Sequence, residues 1–356
     1  MRQRTWWSRM GLVLGVLTVV WMAVALLVMS VERGVEVAAA LPPGDPLPRI
    51  TCTGSYTATL YAEGLSSPDG LALATNGQLY VAEETSGEIS VVGANGVVTP
   101  LVTGLSNPEG LTLDTSGNLY IVEDANGGRL LQRQSNGTLI TITTGLVGAE
   151  NVAWSATGTP LHVTESNVEF ISNPFDARSW VTSVQLNGTK DRLITATPQI
   201  SFPNVSFISY AGITWGADGL LYLSNEAAGV EAQQPPFILT TTTSILTLNP
   251  TTIVQHVFLE GLTSPEGLRF AADGAFPLYV VEEDIGNGNG WLSIVEANGT
   301  ATGFCSGFLT IEDVQSAPDG VFFVSEDSTG DIIRLAPLTP ISNNDTFLPF
   351  LQNPSP

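Results

Sequence analysis

The chain has 356 residues, of which 43% are hydrophobic and only 13% charged, and its formal net charge is −22. Outside residues 1–40 it carries 8 basic and 32 acidic side chains. This balance argues against nucleic acid and anionic lipid as partners, because both need a basic surface, and it suits cations or basic partners. The 36 Gly and 22 Pro residues fall between short apolar runs and favour an all-β fold.

Residues 1–40 are predicted to form either a signal peptide or an uncleaved membrane anchor. Three arginines precede an apolar run at 11–30 that is long enough to span a bilayer. Basic residues before such a run place the rest of the chain outside the cytoplasm, and Ala38–Ala40 offers a small-residue cleavage site. We therefore expect an extracytoplasmic protein, secreted or anchored, that meets a membrane only through this segment.

A Pro-rich linker is predicted at 41–55, and a Pro-rich tail at 336–356. The linker holds Cys52, one of the two cysteines of the chain, and the other is Cys305. In an oxidising compartment the two could form a disulfide. The alternative is a pair of buried free thiols.

Six copies of one unit follow between residues 56 and 335. Each begins with a Gly-Leu step and a Pro-acid-Gly turn or a looser version of it: GLSSPDG (64–70), GLSNPEG (104–110), GLVGAEN (145–151), SFISYAG (206–212), GLTSPEG (261–267) and GFLTIED (307–313). An alternating run, a Gly turn and a second run such as LYVAEE follow, which are hairpin signals. Four strands of this kind make one blade, so the sequence predicts a six-bladed β-propeller.

The ring is predicted to close through the N-terminal strand at about 56–63. The sixth unit has no convincing fourth strand, whereas YTATLYAE at 56–63 has no unit of its own. Joining the two removes an open sheet edge. Segments 166–180 and 226–240 lengthen the third and fourth units after their second strands, so both insertions are expected at one end of the ring.

Carboxylates recur at two positions of the unit. Because neighbouring strands are antiparallel, the start of the first strand and the end of the second lie at the same end of a blade. The first-strand starts carry Asp69, Glu109, Glu150, Glu266 and Glu312. The second-strand ends and the positions after them carry Glu83, Glu84, Glu123, Asp124, Glu165, Glu226, Glu282, Glu283 and Glu326. The sequence thus predicts an acidic mouth around the central channel.

Crowded carboxyls raise one another's pKa or require a counter-ion. Oxygen ligands without His or Cys suit Ca²⁺ or Mg²⁺. We predict a Ca²⁺ site, with Mg²⁺ as the other candidate ion, built from Asp69, Glu109, Glu150, Asn151, Glu266 and Glu312. The alternative is a purely structural acidic ring, in which each acid accepts hydrogen bonds from backbone N–H groups of the adjacent blade. Arg269, three residues after Glu266, is expected to neutralise part of the ring.

The fourth unit departs from the pattern, since Ala211 and Asn225 stand where the other units have acids. Such breaks are expected where function intrudes. A small-molecule or protein ligand is therefore predicted on this side of the mouth, on a face formed by Glu123, Glu165, Asn225 and Glu282. Trp154, Trp215 and His162 are interpreted as core residues, and His256 is placed on an outer strand.

Residues 56–335 resemble NHL-repeat propellers and, more widely, the senescence-marker/gluconolactonase superfamily. The Pro-acid-Gly-aliphatic start and the Gly-x-Leu-Tyr-Val-x-acid second strand carry the likeness. It implies one divalent metal held at the channel mouth by Glu, Asn and Asp side chains, which map onto Glu109, Glu150, Asn151, Glu266, Glu312 or Asp69. It also implies hydrolysis of a lactone polarised by that metal. The chain differs in having a ring made almost wholly of Glu.

Two functions follow from these features. One is an extracytoplasmic binding or scaffold module with a divalent cation at its acidic mouth. The other is a metal-dependent hydrolase of the lactonase or esterase type. No Ser-His-Asp triad and no nucleotide-binding glycine loop is present in the sequence, and no catalytic residue is assigned.

Overall fold

Antiparallel strands account for nearly all regular structure. The computed structural model describes residues 44–155, 158–167, 176–201, 204–226, 238–240, 243–271, 273–283 and 289–338. In chain order the strands are β1 (Thr51–Cys52), β2 (Tyr56–Ala62), β3 (Pro68–Leu73), β4 (Leu79–Glu83), β5 (Glu88–Val92), β6 (Val98–Thr103), β7 (Pro108–Leu113), β8 (Leu119–Glu123), β9 (Asn126–Arg133), β10 (Leu139–Val147), β11 (Ala149–Ser155), β12 (Gly158–Ser166), β13 (Ser179–Val184), β14 (Lys190–Ala196), β15 (Gln199–Ser201), β16 (Asn204–Ser206), β17 (Ser209–Trp215), β18 (Leu221–Glu226), β19 (Ile238–Thr240), β20 (Ser244–Asn249), β21 (Val254–Glu260), β22 (Pro265–Phe270), β23 (Leu278–Glu282), β24 (Gly290–Val295), β25 (Ala301–Phe308), β26 (Ile311–Ser316), β27 (Phe322–Glu326) and β28 (Asp331–Pro337).

Within these described ranges the strands form six blades, which confirms the predicted six-bladed β-propeller. Blades I, II and III are β3–β6, β7–β10 and β11–β14. Blade IV is β17, β18, β20 and β21, and blade V is β22–β25 with β1 added at its outer edge. Blade VI is β26, β27, β28 and β2. The first strand of each blade is its inner strand.

The ring closes as the sequence predicts, because β2 pairs with β28 in antiparallel register from Tyr56↔Pro337 to Ala62↔Ile332. The chain before β2 also pairs with blade V, since Cys52 on β1 lies opposite Cys305 on β25. Sequence reasoning did not predict this extra strand. The N-terminal end of the described chain is thus held by two neighbouring blades.

The hydrophobic core consists of apolar clusters at the six junctions between neighbouring blades. One example joins blades III and IV through Val181, Ile213 and Leu246, and another joins blades V and VI through Phe304 and Phe322. Alternating residues of each strand supply the two faces of a blade, so the period of two in the sequence is what fills the junctions.

A small three-stranded sheet was not predicted. It consists of β15, β16 and β19, in which β16 pairs in parallel with β19. It connects the end of blade III to the insertion of blade IV. The rest of that insertion, 227–237, and residues 168–175 of the blade III insertion lie outside the described residues, as do the predicted leader at 1–40 and most of the tail at 336–356. Among the described residues, the structure has no helix long and apolar enough to cross a membrane.

Candidate functional site: the acidic channel mouth

A β-bulge at the start of each inner strand sets the direction of the first acid. In blades I, II and V the proline pairs with the end of the second strand, as in Pro68↔Glu83, and the register then shifts before the aliphatic residue. The acid and the glycine between them fall in the bulge. Because a bulge leaves a residue out of the ladder and re-aims its side chain, the acids leave the blade packing and face the channel.

The glycine after the acid allows neighbouring inner strands to approach closely. A Cβ added at Gly70 would lie 2.2 Å from the carbonyl oxygen of Glu109, and one at Gly110 would lie 2.4 Å from the Cα of Asn151. Any other side chain would push the two strands apart. The Pro-acid-Gly motif therefore both aims the acid and narrows the ring that holds it.

Five carboxyls at the inner-strand starts, which we call the inner acids, are the first layer of the mouth: Asp69, Glu109, Glu150, Glu266 and Glu312. All five side chains are half-buried. Ala211 stands at the equivalent position of blade IV and is buried. The structure therefore brings five of the six predicted metal ligands to one end of the channel.

A second layer, the outer acids, follows the ends of the second strands and comprises Glu84, Asp124, Glu226, Glu283 and Asp327. Asp124 is buried and the other four are half-buried. Backbone hydrogen bonds fix four of them over the bulges. For example, the amide of Asp124 donates to the carbonyl of Asn107 at 2.8 Å, and that of Glu283 donates to Ser264 at 2.9 Å. In blade VI the residue in this layer is Asp327 and not Glu326, the residue that the sequence pattern predicts.

The two layers act on each other electrostatically. Burial raises the pKa of Glu109 well above its ordinary value, and the carboxyls of Glu150 and Asp69 raise it further. Burial and Glu226 do the same to the pKa of Glu266. The pKa values of Asp69 and Glu312 are also raised, by burial and then by Glu84 and Asp69 respectively. These side chains keep some contact with solvent along the channel, but protein atoms and like charges crowd them from the sides.

The acids at the second-strand ends lie elsewhere, which corrects the predicted ligand face. Glu123, Glu165, Asn225 and Glu282 are at most 8% exposed, so they cannot form a surface for a partner. Glu83 and Glu326 are buried in the same way. We call the five carboxylates of this set the buried glutamates: Glu83, Glu123, Glu165, Glu282 and Glu326.

Each buried glutamate accepts a backbone N–H from the chain segment that leads into its blade. Glu123 accepts the backbone N–H of Ser106 at 2.9 Å and pairs with Arg129. Glu282 accepts the N–H of Thr263 at 2.7 Å and the hydroxyl of Ser293. In blade IV, Asn225 accepts the N–H of Ser209 at 2.9 Å in the same manner. These side chains tie the loop before a blade to its second strand, which is a structural role.

Two polar residues beneath the inner acids are also engaged with backbone. The Oδ1 atom of Asn151 accepts the N–H of Val152 at 2.8 Å, so this predicted ligand does not face the inner acids with a free oxygen. Asp313 accepts the N–H groups of Val314 and Leu71 and pairs with Arg269 at 3.2 Å. Arg269 therefore contacts Asp313 below the mouth, rather than the acidic ring itself.

Metal coordination requires several of these side chains to meet. Among the described residues, no group of three or more His, Cys, Asp or Glu side chains lies close enough to hold a metal ion. The donor set at the mouth is made of carboxylates alone, which matches a hard cation in chemistry.

The remaining candidate residues have structural positions. His162 is buried, its ring lies edge-to-face against Trp215 at 5.2 Å, and burial lowers its pKa to about 4. Trp154 stacks on Tyr120 at 4.9 Å, and His256 is exposed on β21. Cys52 and Cys305 are joined in a disulfide.

Comparisons with known proteins agree with this architecture. A gluconolactonase from Xanthomonas campestris is similar in structure, with a TM-score of 0.62 and 14% sequence identity over 84% of this chain and 99% of that one. The PQQ domain of a pyranose dehydrogenase from Coprinopsis cinerea gives a TM-score of 0.53 at 13% identity over 84% and 99% of the two chains. A virginiamycin B lyase from Staphylococcus aureus gives 0.51 at 12% identity over 81% and 99%.

These likenesses confirm the six-bladed propeller and the predicted resemblance to gluconolactonase-type propellers at the level of the fold. The three proteins are named for different activities, so a likeness in fold alone does not select an activity. No protein-family model and no curated protein matches the sequence.

Proposed function

We propose that this chain is an extracytoplasmic binding module whose acidic channel mouth takes a divalent cation, Ca²⁺ or in second place Mg²⁺, and presents it to a small-molecule or protein ligand. One observation carries the proposal. The pKa values of Asp69, Glu109, Glu266 and Glu312 are all raised, and every charged neighbour that shifts them is another carboxyl. A cation at the mouth would relieve this repulsion.

Calcium fits the mouth better than a transition metal. Ca²⁺ accepts six to eight oxygen ligands in flexible geometry, and carboxylates, carbonyls and water all serve. The inner and outer acids supply only carboxylate oxygens. Blade IV contributes no inner acid and blade III contributes no outer acid, and each of the other four blades contributes one of each. Blade IV has Ala211 in place of an inner acid, and we place the ligand on this side of the mouth.

The first test is a calcium titration of the full chain, purified in mild detergent because of its apolar segment at 11–30. At a Ca²⁺ concentration 100-fold above Kd, Tm is expected to rise by about 5–10 °C relative to EDTA, because binding then contributes about 2.7 kcal/mol. Glu109→Gln and Glu266→Gln are each expected to weaken binding about tenfold or more, since affinity follows the number of charged ligands.

Glu296→Gln is the matched control, since Glu296 is exposed in the turn after β24, at the opposite end of blade V. Calorimetry should give it the wild-type affinity. Equal calcium responses in all three variants, or no response in the wild type, would refute the cation site and leave a basic partner as the ligand of the acidic mouth.

The location of the protein is part of the proposal. The Cys52–Cys305 disulfide is of a kind that persists in oxidising compartments, and the basic and apolar order of residues 1–30 is typical of a segment that directs the following chain out of the cytoplasm. These features support a secreted or anchored protein.

A metal-dependent lactonase is the second candidate, and the structural likeness to a gluconolactonase favours it. A bound divalent metal would polarise the carbonyl of a lactone. However, Asn151 and Asp313, the residues nearest to a mixed Asn and Asp ligand set, are bonded to backbone N–H groups.

Hydrolysis of sugar lactones and simple esters, followed by pH-stat with Ca²⁺, Mg²⁺ or EDTA, separates the two functions. We expect no metal-dependent rate above the uncatalysed reaction. A rate that EDTA abolishes, that Glu109→Gln lowers and that Glu296→Gln keeps would establish the hydrolase instead.

A further inference from the structure

Arg269 is the one basic residue on the six inner strands, all of which belong to the described part of the chain. It lies on β22 of blade V, three residues after Glu266, and its side chain is 13% exposed. One guanidinium nitrogen, Nη2, lies 3.2 Å from Oδ2 of Asp313 in blade VI. The same nitrogen lies 3.5 Å from the carbonyl oxygen of Leu71 in blade I and 3.4 Å from that of Leu111 in blade II. One side chain thus touches three blades besides its own.

The side chains at the matching positions of blades I and II are small. Arg269 pairs with Tyr279, and the residues that pair with the equivalent tyrosines in blades I and II are Ala72 and Thr112. Two small residues leave space at this depth. The long side chain of Arg269 extends through it to the far side of the ring.

The two carbonyl oxygens that Arg269 contacts belong to inner strands, and the carbonyl of Leu71 also accepts a hydrogen bond from Gln315. One edge of each of these strands pairs with the second strand of its blade, and the other edge faces the channel. Buried carbonyls on the channel edge therefore need partners from elsewhere. Asp313 is 1% exposed and accepts two backbone N–H groups, so its charge needs a cation nearby. Nε of Arg269 has no hydrogen-bond partner among the described residues. The position of the Arg269 side chain is therefore explained by its charge beside Asp313, and not by hydrogen bonding of all its N–H groups.

We propose that Arg269 is a tethered cation that fills, beneath the acidic mouth, an oxygen-lined site that would otherwise bind a free divalent cation. Two backbone carbonyls and one carboxylate are ligands that Ca²⁺ uses, and here they converge on a guanidinium. Arg269 makes this level of the channel independent of metal and closes it below the mouth. Any exchangeable cation is then restricted to the inner and outer acids. The proposal does not depend on the cation site at the mouth.

Arg269→Met tests it, because methionine keeps much of the apolar length and removes the charge. Without divalent cations Tm is expected to fall by about 5–10 °C, since Asp313 becomes a buried charge without a partner. Added Ca²⁺ should restore most of this loss, and calorimetry should show one more bound ion than in the wild type. Arg269→Lys, which keeps a cation, should stay close to the wild type and gain no extra ion.

Two further variants make the test specific. Arg269→Met combined with Asp313→Asn removes both charges and should lose the extra ion and its stabilising effect. Gln315→Met is the matched control, because Gln315 donates to the same Leu71 carbonyl at 2.9 Å but carries no charge, and it should create no calcium dependence. An extra ion that persists without Asp313, or an Arg269→Met variant that calcium does not restore, would overturn the proposal. Failure of the mouth site would instead appear in the wild type, which should then bind no ion while Arg269→Met binds one.

Discussion

Replacing Cys52 with serine is expected to lower the free energy of unfolding by about 4–5 kcal/mol. The disulfide joins residues 253 apart in sequence, and the entropy that a cross-link removes from the unfolded chain grows with the length of the loop. Tm should fall by about 10 °C, since 1 kcal/mol shifts a domain of this size by roughly 2–4 °C. The effect is large because the loop that the disulfide closes contains most of the propeller.

Urea unfolding of the full chain, followed by tryptophan fluorescence, measures this change. Cys52 is the better site for substitution, because it is half-buried whereas Cys305 is fully buried in the junction of blades V and VI. Wild-type protein in dithiothreitol is the control and should unfold at the same urea concentration as Cys52→Ser. Equal midpoints for the variant and the oxidised wild type would show that the disulfide contributes nothing to stability.

The same N-terminal segment is held by more than the disulfide. Arg49 forms a two-point ion pair with Glu326, at 2.8 and 2.5 Å, and also donates to the carbonyl of Gly307. Leu47 packs against the junction of blades V and VI. Residues 44–55 thus contact both blade V and blade VI before β2 completes blade VI. Loss of the disulfide should loosen the closure of the ring without opening it.

The repeat could be recognised from sequence because each turn carries its own signature. The Pro-acid-Gly starts and their looser versions predict six blades. The missing fourth strand of the last unit predicts the closure by β2. Both depend on local patterns. The parallel pairing of β16 with β19 joins the connection between blades III and IV to the insertion of blade IV, and no local pattern in either strand indicates it.

The acids were separated only by the structure. Antiparallel pairing places Glu109 and Glu123 at the same end of blade II, but it does not say which side chain enters the blade. The bulge turns Glu109 to the channel, whereas Glu123 at the end of a regular strand stays inside. A signal was present in the sequence, since a Ser, Thr or Arg on the third strand faces each of the buried glutamates in blades I, II, III and V.

Two matched substitutions in blade II are expected to change stability in opposite directions. Both Glu109→Gln and Glu123→Gln remove one negative charge, so their effect on net charge is the same. At pH 7.5 with EDTA, Glu123→Gln should destabilise by roughly 2–3 kcal/mol, because it breaks the charged bonds to Arg129 while retaining an acceptor for Ser106. Glu109→Gln should stabilise by roughly 1–2 kcal/mol, because it removes a like charge from a partly desolvated cluster.

The dependence on pH distinguishes this cause from a packing effect. The pKa of Glu109 is raised in the folded state, so between its ordinary value of 4.5 and the higher folded value the folded chain holds a proton that the unfolded chain has lost. Stability therefore falls as pH rises through this window, and it is recovered on acidification. The gain from Glu109→Gln should accordingly shrink from pH 7.5 to pH 5, whereas a gain that stays constant would point to packing.

Saturating Ca²⁺ should reverse the sign of the Glu109→Gln effect at pH 7.5, because the wild type then gains a ligand that the variant binds less well.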